Sequence, residues 1–314
     1  MRKIIIDTDT GSDDAVALMI AMAQKDLDII GITTVSGNVD LEKATLNALQ
    51  TVEVCGREIP VYKGAARPLF REPVQASYVH GFDGMGDNGL IHPTRKTEEK
   101  HAVEFILDTI RENPGEVEII ALGPATNIAL AILKDRELMK KAKYIWSMGT
   151  AGYGRGNSSP VAEFNVFSDA ESYAIMLEAG IPMTIAGFDL CEGDAVLADG
   201  ELEALAHGGT LGEFTVKCTA AQLAYNAVKC GHPCVTIPDA VIVAAAVWPE
   251  VVLESETTYC YCCTKEEPAY GQVIIYDSKA LPCFKGEPHA PNATVIKKID
   301  NELFKKNVVA ELTK

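Results

Sequence analysis

Basic residues are scarce in this chain: 28 Lys and Arg stand against 44 Asp and Glu, for a formal net charge of −16. A surface that acidic repels phosphate backbones and anionic lipid, so neither nucleic acid nor a membrane is the expected partner. No apolar run approaches the ~18 residues that a bilayer-spanning helix needs. Met1-Arg2-Lys3 runs straight into Ile4-Ile5-Ile6-Asp7, too brief and too soon acidic for a signal peptide, so a cytoplasmic location is expected. Internal repeats and low-complexity linkers are missing, which argues for one elaborated domain over residues 1–314. Tryptophan is rare, and Trp146 and Trp248 fall in a strand pattern and beside an apolar helix, places that suit a core better than a pocket. With 47% hydrophobic and 23% charged residues, the chain has the balance of a globular protein and excludes a disordered or collagen-like one.

The 9 cysteines are an odd number with no secretion signal, so free thiols are expected. Cys230-Gly231-His232-Pro233-Cys234 has no second ligand pair at zinc-finger spacing. Cys260, Cys262 and Cys263 lie in a Thr/Tyr-rich stretch and read as small packing residues, and Cys283 stands apart.

Periodicity sets the class. Short β-branched runs at Ile4–Ile6, Asp28–Val35 and Ile59–Tyr62 alternate with helical patterns over Asp13–Gln24 and Leu41–Val54. That alternation predicts βαβ units and an open, mostly parallel, Rossmann-like α/β sheet with flanking helices. It resumes with strands at Val117–Ala121, Ala142–Met148 and Pro182–Ala186, and helices at Thr126–Leu133 and Asp169–Glu178, the latter capped by Ser168. Residues 199–229 and Asp239–Val247 read as helical. Thr/Tyr/Val alternation over Val251–Tyr276, around Glu266-Glu267-Pro268, predicts a hairpin added to the sheet, before a last strand at Ala293–Ile299 and a helix at Glu302–Leu312. Two stretches, Gly64–Thr97 and Gly149–Phe164, are too long for plain connections and suit pocket walls.

Ligands of such sheets bind beyond the C-terminal ends of the strands. The residues that follow the strands are Asp7, Asp9, Asp13 and Asp14, then Asn38, Leu122-Gly123, Met148 and Asp189. Carboxylates, amides and bare carbonyls on one edge, almost without Lys or Arg, suit a cation or a neutral polyhydroxylated ligand. A helix start alone accounts for Asp13 and Asp14. Four carboxylates within eight residues repel one another unless a cation offsets them, and oxygen-only ligands favour Ca²⁺ or Mg²⁺.

The segment DTDTGSDDAVAL resembles the signature of the inosine-uridine preferring nucleoside hydrolase family. ITTVSGN at 32–38, HGFDGMG at 80–86, ALGPATNIALA at 121–131, WSMGTAGYGRGN at 146–157 and VAEFN at 161–165 follow in family order, with PDAVIVAA at 238–245 a weaker match. The resemblance spans roughly residues 3 to 250. It implies a Ca²⁺-dependent hydrolysis of ribonucleosides to ribose and free base, by a homodimer or homotetramer. Asp9 would be the general base toward a metal-bound water. Asp9, Asp14, the carbonyl of Leu122 and Asp239 would hold the Ca²⁺. Asp13, Asn38, Asn157, Glu163 and Asn165 would bind the ribose, with Met148 and Phe164 packed near it.

One departure stands out. Many members carry a His before the metal-binding Asp of the last block, to protonate the leaving base; here that residue is Pro238. His80 is the first substitute, with His232 and Tyr225 behind it. Two other readings remain: a Ca²⁺-dependent riboside-binding protein without turnover, and a haloacid-dehalogenase-like phosphotransferase built on Asp7-x-Asp9. The second lacks the Thr or Val expected at Gly11 and has no role for Asp13-Asp14.

Overall fold

The structure, a computed structural model, describes residues 1–265, 267–277 and 289–314. Cys283 and Glu266 therefore lie outside the described residues. The strands are β1 (Arg2–Thr8), β2 (Leu27–Thr34), β3 (Val61–Lys63), β4 (Val117–Ala121), β5 (Tyr144–Met148), β6 (Met183–Ala186), β7 (Val252–Thr258), β8 (Cys260–Cys262), β9 (Val273–Ile275) and β10 (Ala293–Ile299). Eight of them form one sheet in the order β3-β2-β1-β4-β5-β6-β10-β7, parallel except for β7. The expected α/β sheet is present. The C-terminal hairpin is present too, but β8 and β9 form a separate two-stranded sheet, and it is β7 that joins the main one. Cys260 and Cys262 alternate inward along β8 as packing residues.

The helices are α1 (Ser12–Ala23), α2 (Leu41–Val54), α3 (Ser77–His80), α4 (Ala102–Glu112), α5 (Thr126–Lys134), α6 (Arg136–Met139), α7 (Phe164–Ser168), α8 (Ala170–Leu177), α9 (Asp199–Ala206), α10 (Thr210–Cys218), α11 (Ala220–Cys230), α12 (Pro238–Val247) and α13 (Asn301–Leu312). Residues 199–229 thus fold as three helices. The cap of α8 is Asp169, not Ser168: its carboxylate accepts from the Ser172 N–H at 3.2 Å, while Ser168 Oγ turns back to the Phe164 carbonyl at 2.7 Å. A carboxylate outcompetes a hydroxyl for an amide at a helix start. Helix α4 has no counterpart in the sequence reading, although Val103, Ile106, Leu107 and Ile110 carry a helical repeat.

Alternation along β1 divides the core. Ile4 and Ile6 face one layer, with α1, α12 and α13; Ile5 faces the other, with α4, α5 and α8. Helix α1 is buried all round, Ala15 to Met22 being at most 2% exposed, because α12 packs across it from outside. Its start, and that of α12, are therefore fixed against the strand ends. Among the described residues, no helix is long and apolar enough to cross a membrane.

Candidate active site

The strand order reverses at β1, which has β2 on one side and β4 on the other. Sequential units wind away from each other there, and a crevice opens beyond the strand ends. Asp7, Asp9, Asp13 and Asp14 follow β1 into this crevice, and Leu122 and Gly123 follow β4. From farther along the chain, α12 brings Asp239 on its first turn, placed by Pro238, whose fixed φ suits a helix start.

The carboxylates are held by short bonds. Asp9 Oδ2 accepts from the Asn38 N–H at 2.6 Å, and its Oδ1 is buried without a partner. Asp14 Oδ1 accepts from Thr8 Oγ1 at 2.5 Å; its Oδ2 accepts from the Gly11 N–H at 2.8 Å and Asn38 Nδ2 at 3.0 Å. Asp13 Oδ1 is likewise buried without a hydrogen bond, 3.6 Å from His80 Nδ1. Oxygens of Asp13, Asp14 and Asp239 lie within 4.8 Å of one another, the one such acidic group among the described residues. Cys230, His232 and Cys234 make no comparable group.

Burial first, and then the neighbouring carboxylates, raise Asp9 and Asp239 well above the usual range. Burial raises Asp13 and Asp14 to about 6 and Glu163 to about 7. Charges packed like this ionise together only if something positive joins them. The orphaned oxygens of Asp9 and Asp13, and the three converging carboxylates, fit a hard divalent cation.

Around the cluster runs a cleft lined by Asp13, Asn38, His80, Leu122, Met148, Asn157, Glu163, Phe164, Asn165 and Asp239. The residues expected to bind ribose therefore share one cavity with those expected to bind metal. Asp9 and Asp14 stand behind this lining, fully buried. Glu163 caps α7, accepting from the Asn165 N–H at 2.9 Å and the Val166 N–H at 3.3 Å. That cap aims Asn165, whose Nδ2 donates to the Leu122 carbonyl at 2.5 Å and approaches Met148 Sδ at 3.3 Å. Asn157 is exposed on the loop across the mouth.

His80 reaches the cleft from α3, with Nδ1 2.8 Å from Ser12 Oγ. Burial lowers its pKa to about 4, so the ring is neutral near pH 7. His232 is exposed and not part of the lining; Tyr225 is part of it, meeting Tyr78 edge-on at 5.7 Å. Trp146 packs toward the core, as expected, and donates to Glu118 Oε2 at 2.9 Å.

Several supports were not read from the sequence. Asn127 Nδ2 donates to Asp7 Oδ1 at 2.8 Å and to the Thr34 carbonyl at 3.0 Å, while its Oδ1 accepts from the Ala65 N–H at 2.8 Å. One buried amide thus fixes β1, β2 and the loop after β3. Asp189, which the sequence places after β6 on the ligand edge, is not part of the cleft lining; its Oδ2 instead accepts from the Tyr153 N–H at 2.9 Å and ties down the loop after β5. Gln222 and Lys229 of α11 line the cleft, and no local motif marks them.

The model of the inosine-uridine preferring nucleoside hydrolase family matches residues 4–306. The chain is 43% identical over 191 residues to uridine nucleosidase 1 of Arabidopsis thaliana, covering 60% of this chain and 57% of that one. An uncharacterized protein of Schizosaccharomyces pombe is 45% identical over 60% of this chain and 61% of its own. These two matches span less than two thirds of the relatives' length. The pyrimidine-specific ribonucleoside hydrolase RihB of Escherichia coli is 32% identical over 96% of this chain and 94% of that one. Among solved structures, a plant nucleoside hydrolase superposes with a TM-score of 0.92 at 30% identity over 99% of both chains. A purine-preferring ribonucleoside hydrolase from Gardnerella vaginalis superposes at 0.89 and 27% identity, over 99% of this chain and 98% of that one. Fold, cleft and whole-length matches agree: the chain belongs to the inosine-uridine preferring nucleoside hydrolase family.

Proposed function

We propose that the protein hydrolyses the N-glycosidic bond of ribonucleosides to ribose and free base. The observation that carries this reading is the cluster of Asp13, Asp14 and Asp239 beside the buried Asp9, in a cleft lined by amides and apolar groups. Asp9, Asp14, Asp239 and the Leu122 carbonyl would hold one Ca²⁺, with Asp13 adjoining. The ion, when bound, supplies positive charge that anchors the ribose hydroxyls and favours ionisation of the carboxylates around it.

The chain's own groups do the rest. Asp9, poised by the Asn38 N–H, takes a proton from the attacking water. Asp13, Asn38, Asn157, Glu163 and Asn165 hydrogen-bond the sugar, and Met148 and Phe164 pack against it. Carboxylates around C1′ stabilise the oxocarbenium-like transition state, and direct attack by water needs no nucleophile from the protein. His80 would meet the leaving base through Nε2, since its Nδ1 faces Ser12. A phosphotransferase needs a basic cradle for phosphate, and this cleft offers one Lys and no Arg among its lining residues. The family kinship supports a homodimer or homotetramer, to be checked by light scattering.

Ribose release from purine and pyrimidine nucleosides and from p-nitrophenyl riboside, with and without chelation, tests the reading. Turnover lost on chelation and restored by Ca²⁺ is expected. The proline at 238 favours one second reading, a riboside-binding protein, and ribose binding without turnover of any substrate would establish it.

A further inference from the structure

The thiols of Cys230 and Cys234 take no part in the chemistry above. Helix α11 ends at Cys230, and Gly231 caps it with φ 81° and ψ 2°, a left-handed conformation that suits glycine. The turn through His232 and Pro233 then returns Cys234 to the helix end, where the two thiols come within hydrogen-bonding reach of each other. Cys230 is the one exposed thiol among the described cysteines, whereas Cys234 is 1% exposed. His232 does not join them as a third ligand, so the pair is a dithiol and not a metal site.

Cys234 is anchored and Cys230 is not. Asn226 Nδ2 donates to the Cys234 carbonyl at 3.0 Å, and Gln222 Nε2 donates to the Thr236 carbonyl at 2.9 Å. Between them, Val235 exchanges two backbone hydrogen bonds of 2.9 Å with Leu197. Three consecutive residues, 234–236, are thus stitched to the middle of α11 and to the chain before α9. Val228, Lys229 and Cys230 close α11 with their side chains exposed, and a helix end with so few buried contacts frays readily. A bond between the two sulfurs would fasten that end to a fixed segment.

We propose that Cys230 and Cys234 form a reversible disulfide, made by a peroxide and undone by a dithiol, that clamps the end of α11. Burial, and then the Cys230 thiol beside it, push the Cys234 thiol up, so the exposed Cys230 reacts first. Its thiolate sulfur bonds to one peroxide oxygen as the O–O bond breaks. Cys230 becomes a sulfenic acid, and the departing hydroxide takes up the thiol proton and leaves as water. The Cys234 sulfur then bonds to the Cys230 sulfur, and the sulfenic hydroxyl leaves with the Cys234 proton as a second water. The two sulfurs lose two electrons in all, and the peroxide gains them. A dithiol reverses the bond by exchange and is itself oxidised. Cys55 and Cys263 are half-buried and the other described cysteines are buried, so they are less open to peroxide. The proposal stands independently of the hydrolase reading.

The test treats the full-length protein with a small molar excess of hydrogen peroxide and maps its thiols by alkylation and peptide mass. One disulfide between Cys230 and Cys234 is expected, reversed by dithiothreitol. The oxidised protein should melt about 2–4 °C above the reduced one, and the amides from 226 to 236 should exchange hydrogen more slowly. Cys230→Ser, a change at an exposed position, should show neither the bond nor the rise in melting temperature. Cys234→Ala should leave Cys230 as a sulfenic acid that dimedone traps, because the resolving thiol is gone. Peroxide-treated wild type in which Cys230 ends as a sulfinic or sulfonic acid, or pairs with another cysteine or a second chain, overturns the site. A Cys230–Cys234 disulfide that shifts neither melting nor exchange overturns the clamp.

Discussion

The Asn38 N–H donates to Asp9 Oδ2 at 2.6 Å, and this bond brings the end of β2 against the end of β1. It is possible because residue 37 is Gly: a side-chain carbon there would overlap Asp9 Oδ2. Across the same carboxylate, a carbon on Gly123 would lie 2.6 Å from Oδ1. Two glycines from different strand ends thus bracket one carboxylate. Gly37→Ala should displace Asp9, cost about 1–3 kcal/mol by overpacking and lower kcat by about 10²-fold. Thermal unfolding and steady-state kinetics check both, and a variant with wild-type kcat would show that Asp9 is not held by this contact.

Asp9→Asn keeps an oxygen for the Asn38 N–H but removes the base. If Asp9 takes the proton from water, kcat should fall by about 10³-fold or more with the fold intact. Near-wild-type turnover would assign the proton to another carboxylate, Asp13 being next in line as the neighbour with a free buried oxygen.

Cation removal should act on stability as well as on turnover. Burial raises Asp13 and Asp14 to about 6, above their unfolded values, so their protonated forms favour the metal-free fold and that contribution fades as pH rises through about 6. A cation has the opposite preference, because it needs the ionised forms. Ca²⁺ at a hundred times its Kd should add about 2.7 kcal/mol, with a larger rise in melting temperature at pH 8 than at pH 5. Asp239→Asn should shrink that increment while leaving the metal-free protein no less stable, since one repelling charge is gone. An unchanged Ca²⁺ affinity would remove Asp239 from the ligand set.

Local patterning made much of this legible. The boundaries of α2 and β4 coincide with their periodic runs, and the acidic block after β1 lies where a parallel sheet binds ligands. What patterning cannot carry is partnership at long range. Asn127 and Gln222 look like any polar residue on a helix, and their roles arise from carbonyls and amides at other places in the chain. The strand β7 is similar: alternation over 251–276 predicts a hairpin on the sheet, but that β7 pairs with β10 while β8 and β9 pair with each other is decided only when the chain returns. The cap of α8 lies one residue beyond the expected Ser168 because Ser168 and Asp169 are both good caps, and a hydrogen bond from Thr126 Oγ1 to Asp169 Oδ2 at 2.7 Å separates them.

At the far end of the sheet from the cleft, Glu118 of β4 gathers three cationic or polar partners. Arg2 binds it through Nε at 3.1 Å and Nη2 at 2.6 Å, Lys143 Nζ at 2.9 Å and Trp146 Nε1 at 2.9 Å. Burial alone would raise this carboxyl, but the bonds from Arg2, Trp146 and Lys143 outweigh it and hold it at about 2, below its ordinary 4.5. A depressed folded value means that the stabilisation is complete above the unfolded pKa and disappears as pH falls through the folded one. Arg2 and Lys143 are partly exposed, so solvent screening trims the ion pairs. Glu118→Gln should therefore cost about 2 kcal/mol at pH 7, and the gap in stability to the wild type should narrow as pH is lowered from 4.5 toward 2. Activity at saturating substrate should be unchanged, because Glu118 lies at the opposite end of β4 from Leu122. A gap that stays constant across that range would mean that packing, not the charge of Glu118, supplies the stability.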